Sequence, residues 1–278
     1  MPTVPTDRGD NCKQTKGREM ICNMPKLRSK LAADELCIGV SISFSDPAVS
    51  EALGPDVDFL WIDLEHNPMD MESLLSHLMA ARASGAPAIV RIPTSDPAWI
   101  KRTLDSGAEG VILPQARSVD EVREYVSWCR YPPMGKRGFG PRRPSNYGRN
   151  CDQPYIEEAN RELFVVAQIE TVEALEQVEE IAAIEGLDSL VLGPMDLSGS
   201  MGRLGDIRHP EVEAAMRRVI KVARDAGKFI GVGLGANPEV GAWYAELGVQ
   251  WLQLGCDFEY LRRFEQTADE TRRLAGGD

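Results

Sequence analysis

The sequence predicts an α/β protein folded as a single (β/α)8 TIM barrel, and two observations carry that prediction. Eight apolar runs recur along the 278 residues, CIGVSISF, DFLWIDL, AIVRIP, GVILP, FVVAQIE, SLVLG, FIGVGLG and WLQLGCD, with amphipathic stretches between them. The runs are continuous rather than alternating, as strands covered on both faces must be. The length agrees, because α/β barrels commonly use about 250 residues as one domain. An open doubly wound sheet is the competing arrangement.

Taken in order, residues 1–25 are polar with little periodicity and read as an N-terminal arm, and 26–278 as the barrel. KLRSKLAADE, from Lys26, predicts a short helix before the first strand. Helical spacing then recurs over 71–83, 98–106, 119–128, 172–184, 211–226, 239–247 and, at the C-terminus, 258–274. Several of these stretches end on glycine (Gly85, Gly107, Gly227, Gly248), the residue that a left-handed helix end favours. The one long irregular stretch, 131–154, follows the fourth strand and its helix. At that length it predicts a loop covering the site rather than a connector.

Composition excludes several classes of function. A net charge of −12 disfavours nucleic acid and anionic membrane surfaces as partners and leaves small molecules. Six scattered cysteines form no CxxC, and the chain is large enough to fold without disulfides, which fits a reduced, cytoplasmic setting. No run approaches the ~18 apolar residues of a membrane span.

The chemistry centres on 164–202. FVVAQIE ends on Glu170, a helical stretch follows, and Asp196 lies three residues beyond SLVLG. In a βαβ unit the two strand ends share one edge of the sheet, so both carboxylates face one spot. Two ionised carboxylates ~4 Å apart repel by roughly 4 kcal/mol at an effective dielectric of 20, so the pair calls for a cation or a shared proton. The competing reading gives Glu170 backbone N–H partners and makes Asp196 a helix cap. Barrel active sites lie where strands end, which adds Ser43, Ser45, Asp63, Glu65, His66, Arg91, Gln115, Gln168, Asn237 and Asp257 to the candidates. His66, in WIDLEHNP, has carboxylates at Asp63 and Glu65 to hold its tautomer and reads as a base. Arg91 closes an apolar strand, where a cation must be paired or serve an anionic substrate. The run RYPPMGKRGFGPRRP gathers Arg130, Lys136, Arg137, Arg142 and Arg143, for anion capture or as a solvated charge run.

DFLWIDLEHNP, IVRIP, LDSGAEGVILPQ, RYPPMGKRGFG, QIETVEALEQVEEI and GLDSLVLGPMDLSGSMG together resemble the HpcH/HpaI aldolase family, metal-dependent class II aldolases of 2-oxo acids. The resemblance spans about residues 27–261. It implies one divalent ion (Mg²⁺, Mn²⁺ or Co²⁺) on Glu170 and Asp196, and a homo-oligomer, often a hexamer that exchanges a C-terminal helix. His66 assisted by Asp63 is implied for acid/base work and Arg91 for the substrate carbonyl. Gln168, Ser41, Gly193, Pro194, Met195 and Leu234 are implied to line the substrate pocket, and Asp105 to reach a histidine of an adjoining subunit. The implied reaction cleaves a 4-hydroxy-2-oxo acid through a pyruvate enolate. Relatives with this core also make citrate from oxaloacetate and an acyl-CoA, or decarboxylate oxaloacetate. Ser41 stands where many members have tryptophan, a departure that argues against long dioate substrates.

Overall fold

A computed structural model describes residues 22–276. The eight runs become β1 (Cys37–Ile42), β2 (Phe59–Asp63), β3 (Ala88–Arg91), β4 (Gly110–Leu113), β5 (Phe164–Ile169), β6 (Ser189–Leu192), β7 (Phe229–Leu234) and β8 (Trp251–Cys256). They pair in parallel in sequence order, and β8 closes on β1, so the sheet is a barrel rather than an open doubly wound sheet.

The barrel interior is filled by large side chains set against small ones. Trp251 is buried with its ring edge-on to Phe59 and Phe164, at centroid distances of 5.5 and 6.1 Å. Two glycines make that possible. A Cβ on Gly39 would lie 2.5 Å from the Phe59 ring, and one on Gly231 would lie 2.1 Å from Trp251. Trp251 Nε1 donates to Ser189 Oγ at 3.0 Å, so burying the indole strands no donor. Met24, Leu27 and Leu31 of the first helix, Met24–Ala32, pack on the same cluster and close the N-terminal rim.

Residues 22–25 therefore belong to the folded body and not to the expected arm. Cys22 Sγ and the N–H groups of Asn23 and Met24 all donate to the Glu109 carboxylate. Burial raises the pKa of Glu109 against these three bonds. The rest of the expected arm, residues 1–21, lies outside the described residues.

The helices follow the predicted spacing with differences. The stretch 172–184 is two helices, Val172–Glu176 and Val178–Ala182, because Gln177 leaves helical geometry to bond Val119 N–H, the Arg117 carbonyl and the Glu173 carbonyl. The C-terminal stretch likewise divides into Asp257–Arg262 and Phe264–Leu274. The sequence reading did not anticipate helices at Ala48–Leu53 and Gln153–Glu162.

The long loop does not play its expected part. Arg130 is buried and donates to the Gly186, Asn160 and Leu163 carbonyls and to Asp188, groups that precede β5 and β6. Arg143 donates to the Leu78 carbonyl, Arg137 to Asp105, and Lys136 pairs with Glu124. Four cations of the basic run thus tie the loop to the barrel flank and its N-terminal rim, and the anion-capture reading does not hold for them at the catalytic edge.

Candidate active site

At the C-terminal edge, Asp63 ends β2 and Arg91 ends β3, and the two are register partners. Arg91 Nε donates to Asp63 Oδ1 and Nη2 to Oδ2, each at 2.8 Å. The guanidinium carbon lies 5.3 Å from the Trp61 ring centroid. Burial works against the arginine's charge, but Asp63 and Glu65 outweigh it and its pKa is raised. A bidentate pair of this kind fixes a cation far better than a single contact.

The structure revises the partnership expected around His66. Asp63 is occupied by Arg91, Asn67 Nδ2 and the Glu65 N–H, and the carboxylate beside the imidazole is Glu65. His66 Nε2 lies 3.6 Å from Glu65 Oε2, on a side chain 61% exposed. The same Glu65 oxygen is 3.2 Å from Arg91 Nε, although it makes no hydrogen bond of good geometry. Burial raises the pKa of Glu65 against the pull of Arg91. The sequence reading placed Glu65 among the strand-end candidates and beside His66, but did not foresee its approach to Arg91. Its period-two spacing from Asp63 was the available signal for a shared face at Arg91.

Glu170 follows β5. Its Oε1 accepts the Gln115 N–H at 2.6 Å, and its Oε2 accepts from Gln168 Nε2. Gln115 takes a left-handed backbone (φ 50°), turning the chain after β4 so that its N–H meets this carboxylate. Burial, opposed by that N–H and reinforced by the charges of Glu65 and Asp196, pushes the Glu170 carboxyl up to about 7. Asp196 lies in the first turn of the helix Pro194–Ser200, so the capping alternative gave the right element but the wrong position. Gly193, before that helix, leaves the space Glu170 needs: a Cβ there would fall 2.4 Å from Oε2.

Glu170 and Asp196 line a cleft of about 340 Å³ together with Gln115, Arg117, Thr171 and Glu173. Gln168 is buried beside Glu170, and its Oε1 is buried without a partner. Ser41 pairs in register with Cys256, Pro194 is buried, Leu234 ends β7 and Met195 is exposed. Asp105 stands apart, near the end of the helix Pro97–Ser106, where it accepts from Arg137 Nη2 at 2.9 Å.

These groups fit a hard divalent cation. Glu65, Glu170 and Asp196 act on one another electrostatically, and Arg91, the nearby cation, is already committed to Asp63 and Glu65. A dication on Glu170 and Asp196 would offset the burial and, after it, the neighbouring negative charges that raise the Glu170 pKa. Among the described residues no three or more His, Cys, Asp or Glu side chains are grouped so that together they could hold a metal ion. Two carboxylates leave positions for water and substrate, as Mg²⁺-type sites do.

Similarity to known proteins agrees with this architecture. Residues 42–263 match the model of the HpcH/HpaI aldolase/citrate lyase family. The chain is 38% identical over 230 residues to the 4-hydroxy-2-oxo-heptane-1,7-dioate aldolase of Shigella flexneri, covering 82% of this chain and 84% of that one. The crystal structure of an HpcH/HpaI aldolase/citrate lyase family protein from Burkholderia cenocepacia J2315 superimposes with a TM-score of 0.83 at 34% identity, covering 89% of this chain and 98% of that one. Citrate synthase SbnG superimposes with a TM-score of 0.78 at 29% identity, covering 90% and 98%. The chain belongs to the HpcH/HpaI aldolase/citrate lyase family.

Proposed function

We propose that the chain is a carbon–carbon lyase, a metal-dependent aldolase that cleaves a 4-hydroxy-2-oxo acid to pyruvate and an aldehyde. The observation that carries this reading is the buried Glu170 carboxyl facing Asp196 at the strand edge where Asp63 clamps Arg91. Glu170 and Asp196 would hold Mg²⁺, Mn²⁺ or Co²⁺, which when bound supplies Lewis acidity toward the 2-oxo carbonyl.

The protein's own groups perform the remaining steps. Arg91, held by Asp63, stabilises the negative charge that grows on the carbonyl oxygen as the C3–C4 bond breaks. His66 takes the C4 hydroxyl proton as the aldehyde leaves, with Glu65 beside its Nε2 to stabilise the imidazolium that results. The bond's electron pair passes to the pyruvate enolate, and a proton delivered to C3 completes pyruvate. Gln168 orients the acid, and Ser41, Gly193, Pro194, Met195 and Leu234 shape the pocket.

A homo-oligomer is part of the proposal. The helix Phe264–Leu274 buries no residue, and Leu261, Phe264 and Leu274 are 64%, 75% and 72% exposed, which supports its exchange with a second copy. In such an assembly Asp105 would share itself between Arg137 and a neighbouring histidine. Among the described residues no helix is long and apolar enough to cross a membrane. The free thiols of Cys22, Cys37, Cys129 and Cys256 suit a reduced, cytoplasmic setting.

Pyruvate release from a 4-hydroxy-2-oxo acid, measured before and after EDTA, tests the reading. Turnover abolished by EDTA and restored by Mn²⁺ is expected, and turnover indifferent to EDTA would sink the metal. The likeness to citrate synthase SbnG supports a second reading, a citrate synthase-like enzyme in which the α-carbon of an acyl-CoA, after losing a proton, adds to the 2-oxo carbonyl of oxaloacetate and water then releases CoA from the thioester. Citrate formation from oxaloacetate and acetyl-CoA, with no pyruvate released from the hydroxy-oxo acid, would favour it.

A further inference from the structure

A second cavity lies at the N-terminal end of β4, the end opposite the edge that carries Glu170 and Asp196. Five parts of the chain wall it. Arg82 comes from the helix Met71–Ser84, Leu104 from the helix Pro97–Ser106, Glu109 from just before β4, Arg137 and Arg143 from the long loop, and Tyr155 from the helix Gln153–Glu162. Three of these side chains are guanidiniums.

Carboxylates do not balance them. Arg137 is paired with Asp105. Arg143 is buried and donates to the Leu78 carbonyl at 2.8 Å, but among the described residues it has no ion pair. Half-buried Arg82 has, among the described residues, neither an ion pair nor a hydrogen bond. Glu109 attracts Arg143, yet its Oε2 is engaged by Cys22, Asn23 and Met24. Burial and the neighbouring charge of Arg82 together hold the pKa of Arg143 below its ordinary value. Two further donors are idle. The Tyr155 hydroxyl and Arg137 Nε are buried without a hydrogen bond of good geometry, on residues only 3% and 6% exposed. Unpaired buried donors and adjacent like charges both destabilise a fold, and one anion placed among them relieves both.

The space limits what that anion is. The cavity offers about 50 Å³, where a single water needs about 10–15 Å³, so it takes one small polyatomic ion and nothing of nucleotide size. Gly107 helps to keep it open, because a Cβ there would fall 2.6 Å from Arg143 Nη1. Donors arriving from separate elements suit the several oxygens of a tetrahedral ion better than the two of a carboxylate, which one guanidinium fork would satisfy.

We propose that this cavity binds a tetrahedral oxyanion of the phosphate or sulfate type, received by Arg82, Arg143 and Tyr155 beside Arg137, and that the bound ion clasps the long loop to the barrel. The inference is independent of the aldolase reading. The test is calorimetric titration of the full chain, stripped of metal and at low ionic strength, with inorganic phosphate, sulfate and acetate, alongside thermal melts with each. Wild type should bind one phosphate or sulfate per chain and melt at a higher temperature with it, and acetate should bind at least about tenfold more weakly. Arg82→Gln should weaken phosphate by about tenfold or more, as loss of a charge-assisted contact requires, and its anion-free melting temperature should equal or exceed that of wild type because a repulsion with Arg143 is gone. Tyr155→Phe, which removes a hydroxyl alone, should also weaken phosphate. Phosphate bound by both variants as tightly as by wild type places the ion elsewhere and overturns the proposal, as does a wild type that binds neither phosphate nor sulfate at millimolar concentration. Acetate bound as tightly as phosphate overturns the tetrahedral assignment. A fall in the anion-free melting temperature of Arg82→Gln would mean that Arg82 already has a partner, and overturns the proposal as well.

Discussion

Asp63 and Arg91, at the ends of neighbouring strands, meet through two parallel hydrogen bonds of 2.8 Å, so the guanidinium is aimed before any substrate arrives. Such preorganisation is what electrostatic catalysis requires, because no reorientation is needed when charge develops. Arg91→Lys keeps the charge and loses the fork. We expect kcat to fall at least about tenfold with metal affinity little changed. Steady-state kinetics beside a Mn²⁺ titration checks this, and an unaltered kcat removes Arg91 from the mechanism.

Gly193 matters for the space it leaves. In Gly193→Ala the new methyl would sit 2.4 Å from Glu170 Oε2 and push the carboxylate off its bonds to Gln168 and Gln115. Mn²⁺ affinity, read by calorimetry, should drop by about 10- to 100-fold while the fold persists, the range seen when a metal ligand loses its supports. Wild-type affinity in the variant would show that Glu170 has no part in holding metal.

Arg130 separates structural from catalytic use of the basic run. It is buried and satisfied by three carbonyls and Asp188, so Arg130→Ala strands those groups. Chemical denaturation should show a loss of about 3–5 kcal/mol. The kcat of the remaining folded enzyme should match wild type, and a specific loss of kcat would return the loop to the active site.

His77 gives a pH signature away from the site. It is buried against Ser50 Oγ at 2.8 Å, and burial lowers its pKa from the ordinary 6.5. Below pH 6.5 the unfolded chain then takes up the proton first, so stability present above 6.5 is lost as pH falls toward the folded-state value. His77→Gln should flatten that part of the stability profile, followed as melting temperature between pH 7 and 5. An undiminished slope would assign it to other groups.

Much of this was legible in the sequence. The eight strands were, because parallel strands buried on both faces write themselves as unbroken apolar runs, and every run became a barrel strand. The positions of Glu170 and Asp196 on one edge followed from the handedness and short connections of a βαβ unit. What the sequence hid was set by partners distant along the chain. Gln177 breaks a helix because its side chain serves Val119 and Arg117, some 60 residues earlier. Asp63 answers to Arg91 rather than His66, a choice made by strand register. The cations near residue 137 are counter-ions to Asp105, Glu124 and Asp188, which the charge run alone did not show.

The most direct measurement is the Mn²⁺ stoichiometry of the metal-stripped protein and of its Asp196→Ala variant, with circular dichroism to confirm that both are folded. The account predicts one ion per wild-type chain, and for the folded variant no binding in the same concentration range. One ion bound equally well by both proteins would contradict it.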